Sequence, residues 1–194
     1  MKLGCVVMAA GKSSRFGENK LAQVLEGRSL IQRTLDAIPR ELFSQVVVVT
    51  GDDAVASLAG EYGFSVVENR QPEKGVSHTI SLGLSRLMDC DGVLFTVSDQ
   101  PMLRQATISR LVQGFLETPD GIVAAAHDGK RGNPCLFSKA FFPELLTLSG
   151  DTGGSAVIRR HEDALRLVET AAQELADCDT KEDLEMLRGL KPSP

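Results

Sequence analysis

A chain of 194 residues, 42% hydrophobic and 24% charged, can bury a substantial core in one domain, and this balance excludes a disordered polypeptide. Its net charge of −5 argues against broad nucleic-acid binding, which needs an excess of Lys and Arg to track phosphates. No apolar run approaches the roughly 18 residues of a spanning helix, so no membrane partner is expected.

Leu3 to Met8 is a short, β-branched apolar run that reads as a strand covered on both faces. A basic glycine loop follows at once, where a secretory leader would carry its cleavage region, so the N-terminus is expected to be a strand and the protein cytoplasmic. Ala9, Ala10 and Gly11 remove side-chain bulk, which lets the backbone bend and bring its N–H groups close to an anion. Lys12, Ser13, Ser14, Arg15 and Lys20 then supply three cations and two hydroxyls, a set suited to a polyphosphate. The loop is no Walker A motif, because Val6 stands where its first glycine is required, and Gly11 and Gly17 alone do not make a dinucleotide fingerprint. An ordinary βα turn with a solvated basic face would have the same composition.

Leu30, Ile31, Thr34, Leu35 and Ile38 recur at helical spacing until Pro39. Gln45 to Thr50 is a β-branched strand, Gly51-Asp52-Asp53 can turn and cap a helix around Ala54 to Tyr62, and Phe64 to Glu68 is a third strand. This alternation predicts a parallel sheet whose loops after Met8, Thr50, Glu68 and Val97 share the ligand-binding edge. Asn69 to His78 reads as a functional loop, with His78 an exposed bystander, before a helix carrying Ile80, Leu84, Leu87 and Met88.

Asp91 to Val97 runs as a strand straight into Ser98-Asp99-Gln100-Pro101. A carboxylate at the end of a central parallel strand is placed to hold a divalent cation against phosphates on the first loop. The alternative, a cap for a helix beginning near Leu103, is disfavoured by Pro101, which keeps the preceding residue extended. Ile108, Leu111, Val112, Phe115 and Leu116 form a further helix, Gly121 to Ala126 a strand, and His127 to Gly132 a polar turn before a strand at Asn133 to Phe137. Ala164 to Val168 is the last strand. Thr180 and Asp183 form a capping box for a closing helix through Leu184, Leu187 and Leu190. Residues 1–190 make one domain and 191–194 a disordered tail. Cys5, Cys90, Cys135 and Cys178 form no CxxC pair, so they read as buried thiols in a reducing compartment rather than a zinc or redox site.

Ala-Ala-Gly-Lys-Ser-Ser-Arg-Phe-Gly-x-x-Lys, residues 9–20, resembles the signature loop of nucleotidyltransferases that activate sugars, isoprenoid precursors and molybdopterin. The likeness is strongest to the molybdenum cofactor cytidylyltransferase group. Asn69, Gly75, Ser77, Ser81 and Gly83 match the same family's base and acceptor segment, and Ser98-Asp99-Gln100-Pro101 resembles its cytidylyl branch rather than the Gly-Asp-x-Pro of guanylyl members. Asn133-Pro134-Cys135-Leu136-Phe137 is similar to the family's His-Pro-x-x-Phe strand, with Asn133 in the His position. Gly150-Asp151-Thr152-Gly153 resembles its Gly-Asp-x-Gly loop. Gly154 and Ser155 stand where Ala-Arg is common, leaving Arg159 or Arg160 to replace that Arg, and Asp177 to Leu184 resembles the family's Asp-Ile-Asp-Thr-Pro-Glu-Asp-Leu.

The resemblance implies a single three-layer α/β/α Rossmann-like nucleotidyltransferase domain, mostly parallel, with a small antiparallel excursion around Asn133 to Phe137. It implies catalysis by Lys20, Arg15 and Asp99, with Mg²⁺ held between Asp99 and Asp179. Nucleotide contacts would come from Ala9, Ala10, Gly11, Lys12, Ser13, Ser14, Arg15, Lys20, Asn69, Gly75 and Ser77, and acceptor contacts from Asn133, Asp151 and Gly153. The reaction implied is transfer of CMP from CTP to the terminal phosphate of molybdopterin, releasing pyrophosphate, with a molybdenum hydroxylase apoenzyme as a downstream partner. The alternatives are a noncatalytic carrier of nucleotide and cofactor, or a nucleotidyltransferase acting on a sugar- or alcohol-phosphate.

Overall fold

Residues that alternate along each strand divide the interior into two cores, one on either face of a seven-stranded sheet. The computed structural model describes residues 1–11 and 19–189. The strands are β1 (Leu3–Ala9), β2 (Val24–Leu25), β3 (Arg28–Ser29), β4 (Gln45–Thr50), β5 (Ser65–Glu68), β6 (Gly92–Val97), β7 (Ile122–His127), β8 (Lys130–Ser138) and β9 (Leu165–Glu169). The helices are α1 (Leu30–Asp36), α2 (Asp53–Glu61), α3 (Val76–Leu84), α4 (Gln105–Glu117), α5 (Phe142–Leu146), α6 (Ser155–Arg160) and α7 (Lys181–Gly189). The main sheet runs β5-β4-β1-β6-β8-β7-β9, and β2 and β3 form a separate hairpin.

Strands β5, β4, β1 and β6 are parallel, β8 is antiparallel to both β6 and β7, and β9 is parallel to β7. Cys5, Val7, Val48 and Leu94 pack on one face with Leu35, Val55, Ile108 and Phe115 of α1, α2 and α4. Val6, Val47, Val49 and Phe95 pack on the other with Ile80, Leu84, Leu145 and Val157 of α3, α5 and α6. The result is the expected three-layer α/β/α domain with its antiparallel excursion. Helix α3 lies so close to β1 that a β-carbon at Gly83 would overlap the Val6 side chain. A third cluster, built on Leu25, Leu30, Cys178 and Leu184, ties the hairpin to α7.

From β1 the chain winds outward through β4 to β5 and then returns to β6 on the other side of β1. Such a reversal opens a crevice beyond the carboxyl ends of the two strands it separates. Here those ends are Ala9 and Val97, so Ala10 and Gly11 share one cavity with Ser98 and Asp99.

Some boundaries differ from the periodicity. The strand expected at Asn133 to Phe137 spans Lys130–Ser138, and the polar turn before it contracts to Asp128 and Gly129, at φ +49 and +72, because β7 and β8 pair as a tight hairpin. Helix α3 begins at Val76, inside the expected loop, and carries His78. Helix α4 begins at Gln105 rather than near Leu103. The short α5, α6 and the β2–β3 hairpin carried no periodic signal. All four cysteines are free and buried, and burial pushes the Cys135 thiol up to about 12. Among the described residues no helix is long and apolar enough to cross a membrane. The tail at 191–194 lies outside the described residues.

Candidate functional site

Asp99 lies in the loop just past β6, and the surroundings fix that loop from two sides. Arg33 of α1 donates from Nε to the Pro101 carbonyl at 2.9 Å and from Nη1 to the Leu25 carbonyl at 3.3 Å. The C-terminal segment grips the other side. Cys178 N–H donates to the Asp99 carbonyl at 2.8 Å, and Gln100 Nε2 donates to the Leu175 carbonyl at 3.2 Å and to Asp177 Oδ1 at 3.0 Å.

That segment reaches the site because it is anchored as it leaves β9. The buried Glu174 carboxylate accepts hydrogen bonds from Arg104 N–H at 3.1 Å, Thr107 Oγ1 at 2.6 Å and Thr170 Oγ1 at 3.0 Å. Further on, the predicted capping box forms: Asp183 Oδ2 accepts from Thr180 N–H at 2.8 Å and from Asp179 N–H at 2.9 Å, and Thr180 Oγ1 accepts from Asp183 N–H at 3.1 Å. Asp183 thus caps the helix and the Asp179 carboxylate faces the crevice. Asp183's carboxyl is held below the usual range, first by its hydrogen bonding to Thr180.

Lys20 joins the two predicted acids. Its Nζ donates to Asp179 Oδ1 at 2.8 Å and to Asp99 Oδ2 at 3.2 Å. Burial alone would lower the Lys20 pKa, but the two carboxylates outweigh it and the pKa is raised. Asp177 behaves in the opposite way: burial, then the charge of Asp99, pushes its carboxyl upward. Among the described residues Asp99 Oδ1 is buried without a hydrogen-bond partner. A buried anionic oxygen left unpaired is costly and suits a cation ligand.

Asp99, Asp179 and Lys20 line a cavity of about 490 Å³ together with Ala10, Gly11, Gly75, Val76, Thr79 and Asp151. Gly75, at φ +84, lies against the Gly150 carbonyl so closely that a β-carbon there would overlap it. Ser77 locks the same contact, donating to the Gly150 carbonyl from N–H at 3.1 Å and from its hydroxyl at 2.8 Å. So Ser77 is buried behind the wall rather than on it. Asn69 is also buried, donating to Thr79 Oγ1 at 3.1 Å and accepting from Gln71 N–H at 3.0 Å, and Ala9 is buried at the end of β1. The structure gives these three a supporting place. Lys12, Ser13, Ser14 and Arg15 lie outside the described residues.

A second cavity, of about 210 Å³, adjoins the first at Met8, which lines both. Asn133 lines this second cavity and Asp151 the first, whereas Gly153 and His78 line neither. Arg159 and Arg160 also line neither, and Arg160 pairs with Glu144 instead. The cation on the second cavity is Arg131. No motif pointed to it, because it stood in what read as a polar turn.

Two facing carboxylates and an orphaned buried oxygen fit a divalent cation of the magnesium or manganese type. Such an ion takes one or two protein carboxylates and completes its shell with waters and substrate phosphates. Among the described residues no group of three or more His, Cys, Asp or Glu could form an all-protein cage.

Comparison with known proteins agrees with this fold. The model of the MobA-like NTP transferase domain matches residues 5–165. Purine catabolism protein PucB of Bacillus subtilis is 29% identical over 196 residues, covering 94% of each chain. A probable molybdenum cofactor guanylyltransferase of Pyrococcus horikoshii is 30% identical over 118 residues, 59% of this chain and 57% of that one. Among solved structures, Rv0371c of Mycobacterium tuberculosis H37Rv superimposes with a TM-score of 0.82 at 26% identity, covering 96% of this chain and 97% of its own. Its manganese complex superimposes with a TM-score of 0.78 at 25% identity, covering 96% and 98%.

Proposed function

From the premise that this chain belongs to the MobA-like NTP transferase family, and so is a nucleotidyltransferase, we propose that it transfers CMP from CTP to the terminal phosphate of molybdopterin. The observation that carries the reading is the meeting of Asp99, Asp179 and Lys20 on the wall of one cavity, with Asp99 Oδ1 unpaired among the described residues. An acceptor phosphate oxygen attacks the α-phosphorus of the triphosphate, the new P–O bond forms, and the bond to pyrophosphate breaks. Little covalent chemistry is asked of the protein, so the barrier falls chiefly through alignment and charge.

Asp99 and Asp179 would hold the divalent cation, which when bound neutralises phosphate charge. Lys20 turns its ammonium to the α-phosphate, and Arg15 with the first-loop amides receives the pyrophosphate. Gly75 and the Gly150–Asp151 loop shape the wall opposite. The nucleotide-bearing cofactor would then pass to a molybdenum hydroxylase apoenzyme.

The preference for CTP over GTP rests on Ala10, which lines the larger cavity where a second glycine would leave room for a purine. One methyl group discriminates by about 1 to 3 kcal/mol, or roughly 10- to 200-fold. The test is pyrophosphate release from CTP, GTP and ATP with molybdopterin, in the wild type and in Ala10→Gly. Faster release from CTP, with the purine gap narrowed in the variant, is expected. Faster release from GTP in the wild type would overturn the base assignment, and nucleotide binding without release from any triphosphate would favour the carrier.

A further inference from the structure

We infer that Gln100 is a positioning residue: its side-chain amide clamps the loop after β6 to segment 175–179 and so sets the separation of Asp99 and Asp179. The inference rests on the reading of these two acids as holders of a divalent cation, and concerns how the chain presents them to it.

The two acids come from places that share no secondary structure. Asp99 lies in the loop after β6, and Asp179 stands two residues before α7. A carboxylate on a loop meets a cation productively only if its neighbours hold it within about half an ångström of its place. The ties are made one residue away from each acid. Gln100, next to Asp99, donates from Nε2 to the Leu175 carbonyl at 3.2 Å and to Asp177 Oδ1 at 3.0 Å. Cys178, next to Asp179, donates its N–H to the Asp99 carbonyl at 2.8 Å. Lys20 bridges the carboxylates themselves, but in the proposed reaction it turns to the α-phosphate and its tie is spent. Gln100 lines neither cavity, so its tie survives the arrival of substrate.

Stability gives little reason for a glutamine here. The residue is 3% exposed, and among the described residues its Oε1 is buried without a hydrogen-bond partner. An unpaired buried amide oxygen works against the stability that the two Nε2 bonds contribute. Methionine, of the same length, would fill the space without that cost. What a glutamine adds is the placing of its nitrogen between two chain segments.

Asp177 is the anchor for that nitrogen rather than a third ligand. Atoms of the site crowd its carboxyl, but the residue as a whole is exposed, and unlike Asp99 and Asp179 it lines neither cavity. Its bond to Gln100 needs an oxygen that accepts, which a neutral amide supplies as well as a carboxylate does.

The test reads metal binding rather than turnover. Mn²⁺ alone is titrated by paramagnetic resonance into the wild type, Gln100→Met, Asp177→Asn, Asp177→Ala and the double variant Gln100→Met/Asp177→Ala, with the thermal transition of each recorded. Asp177→Asn and Asp177→Ala remove the same charge, but only asparagine keeps an acceptor for the Gln100 amide. Binding about 10-fold weaker in Gln100→Met than in the wild type, and in Asp177→Ala than in Asp177→Asn, is expected at closely similar thermal transitions. Gln100→Met should also cost less on the Asp177→Ala background than on the wild type, because the clamp is already broken there. Wild-type affinity in Gln100→Met, or equal affinity in Asp177→Asn and Asp177→Ala, would overturn the inference. If Gln100→Met folds poorly, the asparagine and alanine variants decide it by themselves. Absence of Mn²⁺ binding in the wild type would overturn the cation reading and the clamp with it. The expected pattern in a protein that releases no pyrophosphate would instead overturn the reaction and keep the clamp.

Discussion

Lys20 stands between two carboxylates that lie 79 and 159 residues away in the chain. Its ammonium neutralises the pair, which otherwise would place two acids face to face. Lys20→Ala is therefore expected to tighten Mn²⁺ binding in the absence of nucleotide while lowering kcat by about 100-fold, with KM little changed. Paramagnetic resonance titration of Mn²⁺ beside steady-state pyrophosphate release measures both, and weaker Mn²⁺ binding in the variant would show that the lysine does not compete with the cation. Asp99, Asp179 and Lys20 were legible because each belongs to a long motif with its own spacing. Arg33, Arg131 and Glu174 were not. Each depends on a partner far away in sequence, and an isolated Arg or Glu in a polar stretch looks the same whether it ends in solvent or against a buried carbonyl.

At the scale of elements, two loops meet through Gly75, where positive φ and the adjacent Gly150 carbonyl together exclude a side chain. Gly75→Ala should destabilise the protein by about 1–3 kcal/mol from backbone strain alone and weaken nucleotide binding. Gly153→Ala should stay within about 0.5 kcal/mol, since its added carbon meets only Val76 Cγ1 at 3.6 Å. Equal losses of Tm in the two variants would refute the distinction.

The C-terminal segment makes a parallel case, because Glu174 satisfies three donors at the start of α4 and in the segment itself. Glu174→Ala removes their shared acceptor and is expected to cost about 1–3 kcal/mol in denaturant unfolding. A loss below about 0.5 kcal/mol would mean that the network does not anchor the segment. The long strands and α4 were readable from periodicity and β-branching. The two-residue strands β2 and β3, and α5 and α6 at five and six residues, are too short for any period to register. Helix α3 starts early because its first turn is held by Gly150, a contact made from 73 residues away.

For the whole molecule, the winding of strands outward from β1 and back to β6 decides where chemistry happens. Glu144 of α5 accepts a hydrogen bond from His161 Nε2 at 2.7 Å and pairs with Arg160. Burial would raise its carboxyl, but the hydrogen bonds from His161 and Arg160 outweigh it and hold it below its ordinary value of 4.5. A lowered folded-state pKa means that the unfolded chain binds more protons between the two values, so stability there rises with pH. The contribution is complete above the ordinary value and is lost as pH falls through the folded one. Glu144→Gln should therefore cost about 0.2–1 kcal/mol near pH 7, typical of a partly exposed pair, with the difference closing below about pH 4.5. A difference that persists unchanged into acid would assign the loss to packing.

The proposed reaction places nucleotidyl transfer at Asp99, just past the carboxyl end of β6. Transfer of label from α-³²P-CTP to molybdopterin, measured with Mg²⁺ for the wild type and Asp99→Asn at matched thermal transitions, tests it most directly. Labelled product is expected with the wild type, and a loss of about 100-fold or more in the variant. Transfer by Asp99→Asn at close to the wild-type rate would contradict it.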